Sequence, residues 1–206
     1  MTTSLSDDEI RRRVDLCAST IRKISERHRD RCPAPHLVVS ESPLSERAKY
    51  VRKSNIVRVG IPNVLASTQY SDDALVGLIG HEMGHWFHID SFRRHYRFAA
   101  ACYLAAVLAM GLAMASVVTI VVVLASGGAV SSGTGLLFLL ALAAGLTFLA
   151  AVGPLSWPEE FAADAFALNE TGQQCARAHL DALNGVLNEV PGPTHPSKRR
   201  RVAALG

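Results

Sequence analysis

The chain has 206 residues and a formal net charge of +3, with its cations spread along the sequence, so charge gives no argument for nucleic acid as a partner. Cys17, Cys32, Cys102 and Cys175 show no paired spacing, which argues against a disulfide scaffold and for reduced thiols in a cytoplasmic compartment. From Phe98 to Pro158 there is no Asp, Glu, Lys or Arg. A chain this short cannot surround two fully apolar helices with its own protein, so a wholly soluble fold is disfavoured.

In chain order, Ser6 followed by Glu9 reads as a capping box. Ile10, Val14, Cys17, Ile21 and Ile24 then recur at helical spacing, predicting an amphipathic helix over Asp7 to Arg31 that Pro33 and Pro35 close. Nothing in Met1 to Glu9 resembles a cleavable signal, since it is polar and no apolar core follows. Arg11-Arg12-Arg13, like Lys198-Arg199-Arg200-Arg201 near the other end, reads either as a solvated face or as a contact with anionic lipid. His36 to Ser40 and Asn55 to Val59 are short and β-branched, predicting a small sheet. Ser71-Asp72-Asp73 starts another helix, with its acids in the first turn where the helix dipole favours them.

The uncharged stretch divides itself. Phe98 to Ala125 is one apolar run, Ser126 to Gly135 is a Gly- and Ser-rich reversal, and Leu136 to Trp157 is a second run. Arg93, Arg94 and Arg97 stand directly before the first run, whereas the reversal carries no charge. Positive residues stay on the cytoplasmic side, which predicts a multi-pass protein of the cell membrane with both termini cytoplasmic. Pro158 is expected to open a helix that Thr171-Gly172 interrupts. A further helix should run to about Glu189, and a short basic helix should follow His195-Pro196. The division is therefore 1–97, a transmembrane hairpin over 98–157 (98–125 and 136–157), and 158–206.

The chemistry lies in His81-Glu82-Met83-Gly84-His85. Residues i and i+4 share a helix face, so His81 and His85 can offer two imidazoles to one ion, with Glu82 beside them to take a proton from water. Catalytic zinc sites use three protein ligands and leave a position open. His88 lies about 10 Å along the axis from His81 and is better read as structural. Ser91 stands where an extended HExxHxxGxxH motif would place its third histidine. Glu160 and Asp164, spaced i, i+4 after the second apolar run, are the better source: one carboxylate can bind metal while the other orients a histidine.

With the HExxH helix, two apolar runs, Glu160-Phe161-Ala162-Ala163-Asp164, Thr194-His195-Pro196 and Arg201-Val202-Ala203-Ala204-Leu205, the chain resembles the HtpX-like membrane zinc metallopeptidases, relatives of the prenyl-protein (CAAX) endopeptidases. The resemblance covers about Leu37 to Leu205. It implies one Zn2+ per chain held by His81, His85 and Glu160, Glu82 as general base, and Asp164 as the orienting carboxylate. It also implies His195 and Arg201 at the substrate or its oxyanion. The fold it implies is an α-helical membrane protein, a mostly α zincin-like cytoplasmic domain with a small β-sheet interrupted by a two-helix transmembrane hairpin. Ser45-Glu46-Arg47-Ala48-Lys49-Tyr50 stands where family members often carry an Asn-Ala-Phe-Ala-like segment, and the usual N-terminal spans are missing. Two spans cannot enclose a large intramembrane chamber, which weakens the CAAX reading.

The function expected is a membrane-anchored zinc endopeptidase acting on membrane-associated or misfolded polypeptides at the cytoplasmic side. Its partners would be polypeptide substrates and the lipid bilayer, with no nucleic acid and with room for a homo-oligomer. The alternative is a non-enzymatic adaptor that keeps zinc structurally. Glu82 argues against it, because a structural site needs no general base.

Overall fold

The computed structural model describes residues 5–30, 33–42, 48–183 and 195–206, and it is mostly helical. The chain divides into two compact units, one formed by 1–92, 158–192 and 196–206, the other by 93–157 and 193–195.

In the first unit, helix α1 (Asp7–Arg27) begins where the sequence places it: the Ser6 hydroxyl accepts from the Glu9 amide at 3.3 Å. The helix ends at Arg27, short of the expected Arg31, with His28 as its cap. Its basic run serves the fold. Arg12 bridges Glu9 and Asp72, and buried Arg13 donates to the carbonyls of Leu65 and Ser67.

Three strands follow, β1 (His36–Ser40), β2 (Ala48–Val51) and β3 (Ile56–Gly60), in the order β1-β3-β2. β3 pairs parallel with β1 and antiparallel with β2. β2 is the strand the sequence reading lacked; it covers the end of the Ser45–Tyr50 segment, of which residues 45–47 lie outside the described residues. A short π-helical turn, Ile61–Leu65, leads on to α2 (Asp72–Phe87), capped by Ser71 Oγ accepting from the Ala74 amide.

Helix α2 is buried on nearly every side. Leu75, Ile79, Met83 and Trp86 meet Cys17, Ile21 and Ile24 of α1, Val57 and Val59 of β3, and Phe166. Burial of this kind explains why α2 lacks a strongly polar face. Its remaining face carries Gly77, Gly80 and Gly84. A Cβ at Gly77 would stand 2.0 Å from the Cys175 carbonyl oxygen, and one at Gly84 would stand 2.6 Å from Ala163 Cα. The two backbones therefore pack closer than any other residue permits.

Their partner is α4 (Ser132–Thr171) with α5 (Gln173–Ala182). Pro158 does not open a helix as expected, because α4 runs through it without a break. A proline removes one backbone bond, and the turn beyond it is anchored by buried Ala163, Phe166 and Ala167. Gly172, at φ +86°, makes the expected interruption before α5. α5 ends at Ala182; the expected continuation to Glu189 lies outside the described residues. Helix α6 (Lys198–Ala204) is the expected basic terminal helix.

The second unit holds α3 (Arg93–Ala125) and the first part of α4, joined through a turn with Gly127 at φ +75°. Within it the helices touch where Met110 lies against Gly145. Among the described residues one helix, Arg97–Ala125, is long and apolar enough to cross a membrane, by length and composition; the second apolar segment, Ser132–Phe148, is shorter. Phe98, Leu104, Leu108, Leu112 and Leu124 are exposed along α3. None of Cys17, Cys102 and Cys175 is in a disulfide.

Gly77→Ala should cost about 1–3 kcal/mol of stability and lower the thermal midpoint, since the added methyl meets backbone. Gly111→Ala, where a Cβ meets nothing within 4 Å, should not. Thermal unfolding of the two variants beside the wild type checks this contrast.

Candidate metal centre

Helix periodicity puts His81 and His85 on one face of α2, turned toward the segment of α4 that the glycines bring close. Across that contact stands Glu160. His81 Nε2 and His85 Nε2 are 3.2 Å apart, and each lies 3.5 Å from an oxygen of Glu160. Two donors each about 2.0–2.1 Å from a zinc ion at the tetrahedral angle lie about 3.3–3.4 Å from one another. The donor set therefore fits zinc in both spacing and chemistry: two imidazoles and one carboxylate. His81 and Glu160 are buried, and His85 is half-buried on the open side.

Each histidine is held by a second carboxylate on α4. His81 Nδ1 is 2.9 Å from Asp164 Oδ1, and His85 Nδ1 is 3.1 Å from Glu159 Oε1. With Nδ1–H donated to a carboxylate, the lone pair of each Nε2 is left for the metal. Glu159 is a residue the sequence reading passed over. Its signal was its place beside Glu160 in the acidic segment that follows the second apolar run.

Arg201 of α6 closes the arrangement. Its Nε donates to Asp164 Oδ2 at 2.7 Å and its Nη2 to Asp164 Oδ1 at 2.6 Å, a bidentate pair at 3% and 5% exposure. Nη2 also lies 3.2 Å from His81 Nδ1, and Nη1 lies 3.8 Å from Glu160 Oε2. Burial alone would raise the Asp164 pKa, but the bonds from Arg201 and His81 outweigh it and hold the carboxyl well below its usual range. Burial and Arg201 would lower that of His81; Asp164 and Glu160 outweigh them and raise it to about 10. A proton and a metal compete for the same nitrogen, so metal affinity falls as pH falls.

Glu82 is 6% exposed, and its Oε2 accepts from the Tyr50 amide of β2 at 2.7 Å. One carboxylate oxygen is thus fixed by strand backbone and the other is left for proton transfer. Among the expected site residues, His81, Glu82, His85, Glu160, Asp164 and Arg201 lie in this unit. Arg201, expected at the substrate or its oxyanion, is engaged with Asp164. His195 is exposed just ahead of α6. His88 caps α2 through its amide, and its ring packs with Phe87, Phe92 and Phe166, in keeping with a structural role.

The model of peptidase family M48 matches residues 33–206. No curated protein and no solved structure matches the chain.

Replacing Glu159 by Gln should weaken zinc binding by about 10–100-fold while leaving one site per chain, as read by competition with a chromogenic chelator. Asp164→Asn leaves a guanidinium buried without its counter-charge and should cost about 3–5 kcal/mol of stability at neutral pH. Because the Asp164 pKa is lowered in the fold, its contribution is present above the usual carboxylate range and is lost as pH falls through the folded value. The gap in thermal midpoint between wild type and Asp164→Asn should accordingly narrow below about pH 4.

Proposed function

The chain belongs to peptidase family M48, a family of zinc metallopeptidases, and from that premise we propose that it is a membrane-anchored endopeptidase cutting unfolded or membrane-associated polypeptides at the cytoplasmic face. The observation that carries this reading is the meeting of three metal donors 3.2–3.5 Å apart with a buried carboxylate, Glu82, fixed beside them by the Tyr50 amide.

His81, His85 and Glu160 would hold the zinc. When bound, zinc supplies a Lewis acid that polarises the scissile carbonyl and makes water acidic near neutral pH. Glu82 takes a proton from the attacking water through its free oxygen and returns it to the leaving amine, while Tyr50 N–H keeps the carboxylate from turning away. Asp164 and Glu159 each hold one imidazole in one tautomer and one orientation, and Arg201 holds Asp164. His195 remains the candidate for a group facing the substrate or its oxyanion.

Strand β2 supplies the substrate track. Its Tyr50 amide points away from β3 toward Glu82, and backbone groups alternate along a strand, so Ala48 presents its own to the same edge. An extended polypeptide pairing with that edge is held by main-chain bonds, which gives affinity with little side-chain preference. That suits unfolded substrates.

The membrane part of the reading rests on the exposed apolar surface of Arg97–Ala125, which lipid would cover. The apolar half of α4 is read as a second crossing, with Arg93 and Arg97 keeping both termini on the cytoplasmic side.

Purified in detergent with zinc, the wild type should cleave casein, and Glu82→Gln should keep its zinc while losing about 10²–10⁴-fold in rate. Equal zinc in both proteins with no cleavage by either would sink the peptidase reading. The anchor is checked separately: the protein should stay with the membrane after an alkaline wash, and its recovery in the supernatant would contradict a spanning helix.

A further inference from the structure

One buried group next to the metal cluster has no part in the mechanism above. His179 of α5 is 3% exposed, and neither ring nitrogen has a hydrogen-bond partner among the described residues. The glycine contact puts it there: a Cβ on Gly77 would stand 2.9 Å from His179 Cβ, so α5 lies against α2 one turn before His81. The rings of His179 and His81 have centroids 5.4 Å apart and planes tilted by 35°. A neutral imidazole always carries one N–H donor and one lone pair. Burying both unmet is costlier than burying an apolar side chain of the same size.

The surroundings say what the ring can meet. Donor atoms of His81, Asp164 and His179 all lie within 4.8 Å of one another. His179 makes no direct hydrogen bond to either of the others, and a gap of up to 4.8 Å is one that a single water can bridge. The same trio resembles a cation site, but Arg201 already sets a guanidinium 2.6 Å from Asp164 Oδ1 and 3.2 Å from His81 Nδ1. A second cation would face that charge at contact distance. A neutral occupant is favoured.

We propose that His179 is a positioning residue of the metal centre, bonded through one buried water to Asp164, and that it thereby fixes the carboxylate that aims His81 at the metal. The inference rests on the reading of His81 as a metal ligand. Asp164 is then held by Arg201, by His81 and by the water, which leaves the carboxylate no free rotation and the His81 ring one orientation.

The test uses the full-length protein in detergent, loaded with Co2+ as a spectroscopic probe. Wild type, His179→Leu, His179→Asn and His179→Gln are compared for metal affinity and for the visible absorption bands, which report ligand geometry. His179→Leu should bind Co2+ about 10–100-fold more weakly, with shifted bands. One of the two amides, Asn matching the reach of Nδ1 or Gln that of Nε2, should restore most of both. A Leu variant with unchanged affinity and bands, even with a lower thermal midpoint, would reduce His179 to packing and overturn the proposal. If the Leu variant does not fold, the amides decide: one near wild type and the other at least tenfold weaker supports the bridge, and equal affinities refute it. Failure of the wild type to take up Co2+ would overturn the metal reading underneath, a distinguishable result.

Discussion

Three glycines on one face of α2 set the distance at which its histidines meet the acids of α4. At Gly84 a Cβ would stand 2.6 Å from Ala163 Cα, and Glu160 and Asp164 flank that alanine by three residues and one. Across this close contact His81, His85 and Glu160 stand 3.2–3.5 Å apart. The same face, continued to Gly77, brings α5 and His179 onto the cluster. Remove the close approach and the ligands remain in the sequence but not in one place.

Close approach alone would leave charges buried without compensation. The cluster answers this in layers: Arg201 neutralises Asp164, Asp164 and Glu159 each receive a histidine N–H, and the Nε2 atoms are left facing one another. Carboxylates around the histidines favour a cation at their centre, because Glu160 brings a buried negative charge to the two imidazoles. Glu82 is treated differently. Its hydrogen-bond partner is a backbone amide of β2, which positions one oxygen of the carboxylate. The sheet edge thereby serves chemistry twice, as a holder for the base and as the proposed track for substrate.

Much of this was legible in the sequence where one local rule decides. Ser6 and Ser71 mark helix starts because a side-chain oxygen can meet a free amide three residues on, and both do so. HExxH with a downstream Glu and Asp at i, i+4 named the residues of the cluster, since a helix face fixes their spacing. What was not legible depends on contacts between elements. β2 is four residues long, and its strand state comes from pairing with β3 rather than from its own pattern. The resemblance singled out Arg201, but only the fold places it against Asp164. Pro158 read as a helix start because proline breaks a helix locally, yet packing beyond it carries the helix through. The glycines of α2 were visible as letters, but their purpose appears only against Cys175 and Ala163.

The central claim is that one zinc is held by His81, His85 and Glu160. X-ray absorption at the zinc edge of the purified full-length protein tests it most directly. The account predicts one zinc per chain in a shell of nitrogen and oxygen only, at about 2.0–2.2 Å, with outer scattering from two imidazoles. Scattering from sulfur at about 2.3 Å would place the metal on cysteine instead, and a shell without imidazole would remove it from α2. Either result would contradict the account.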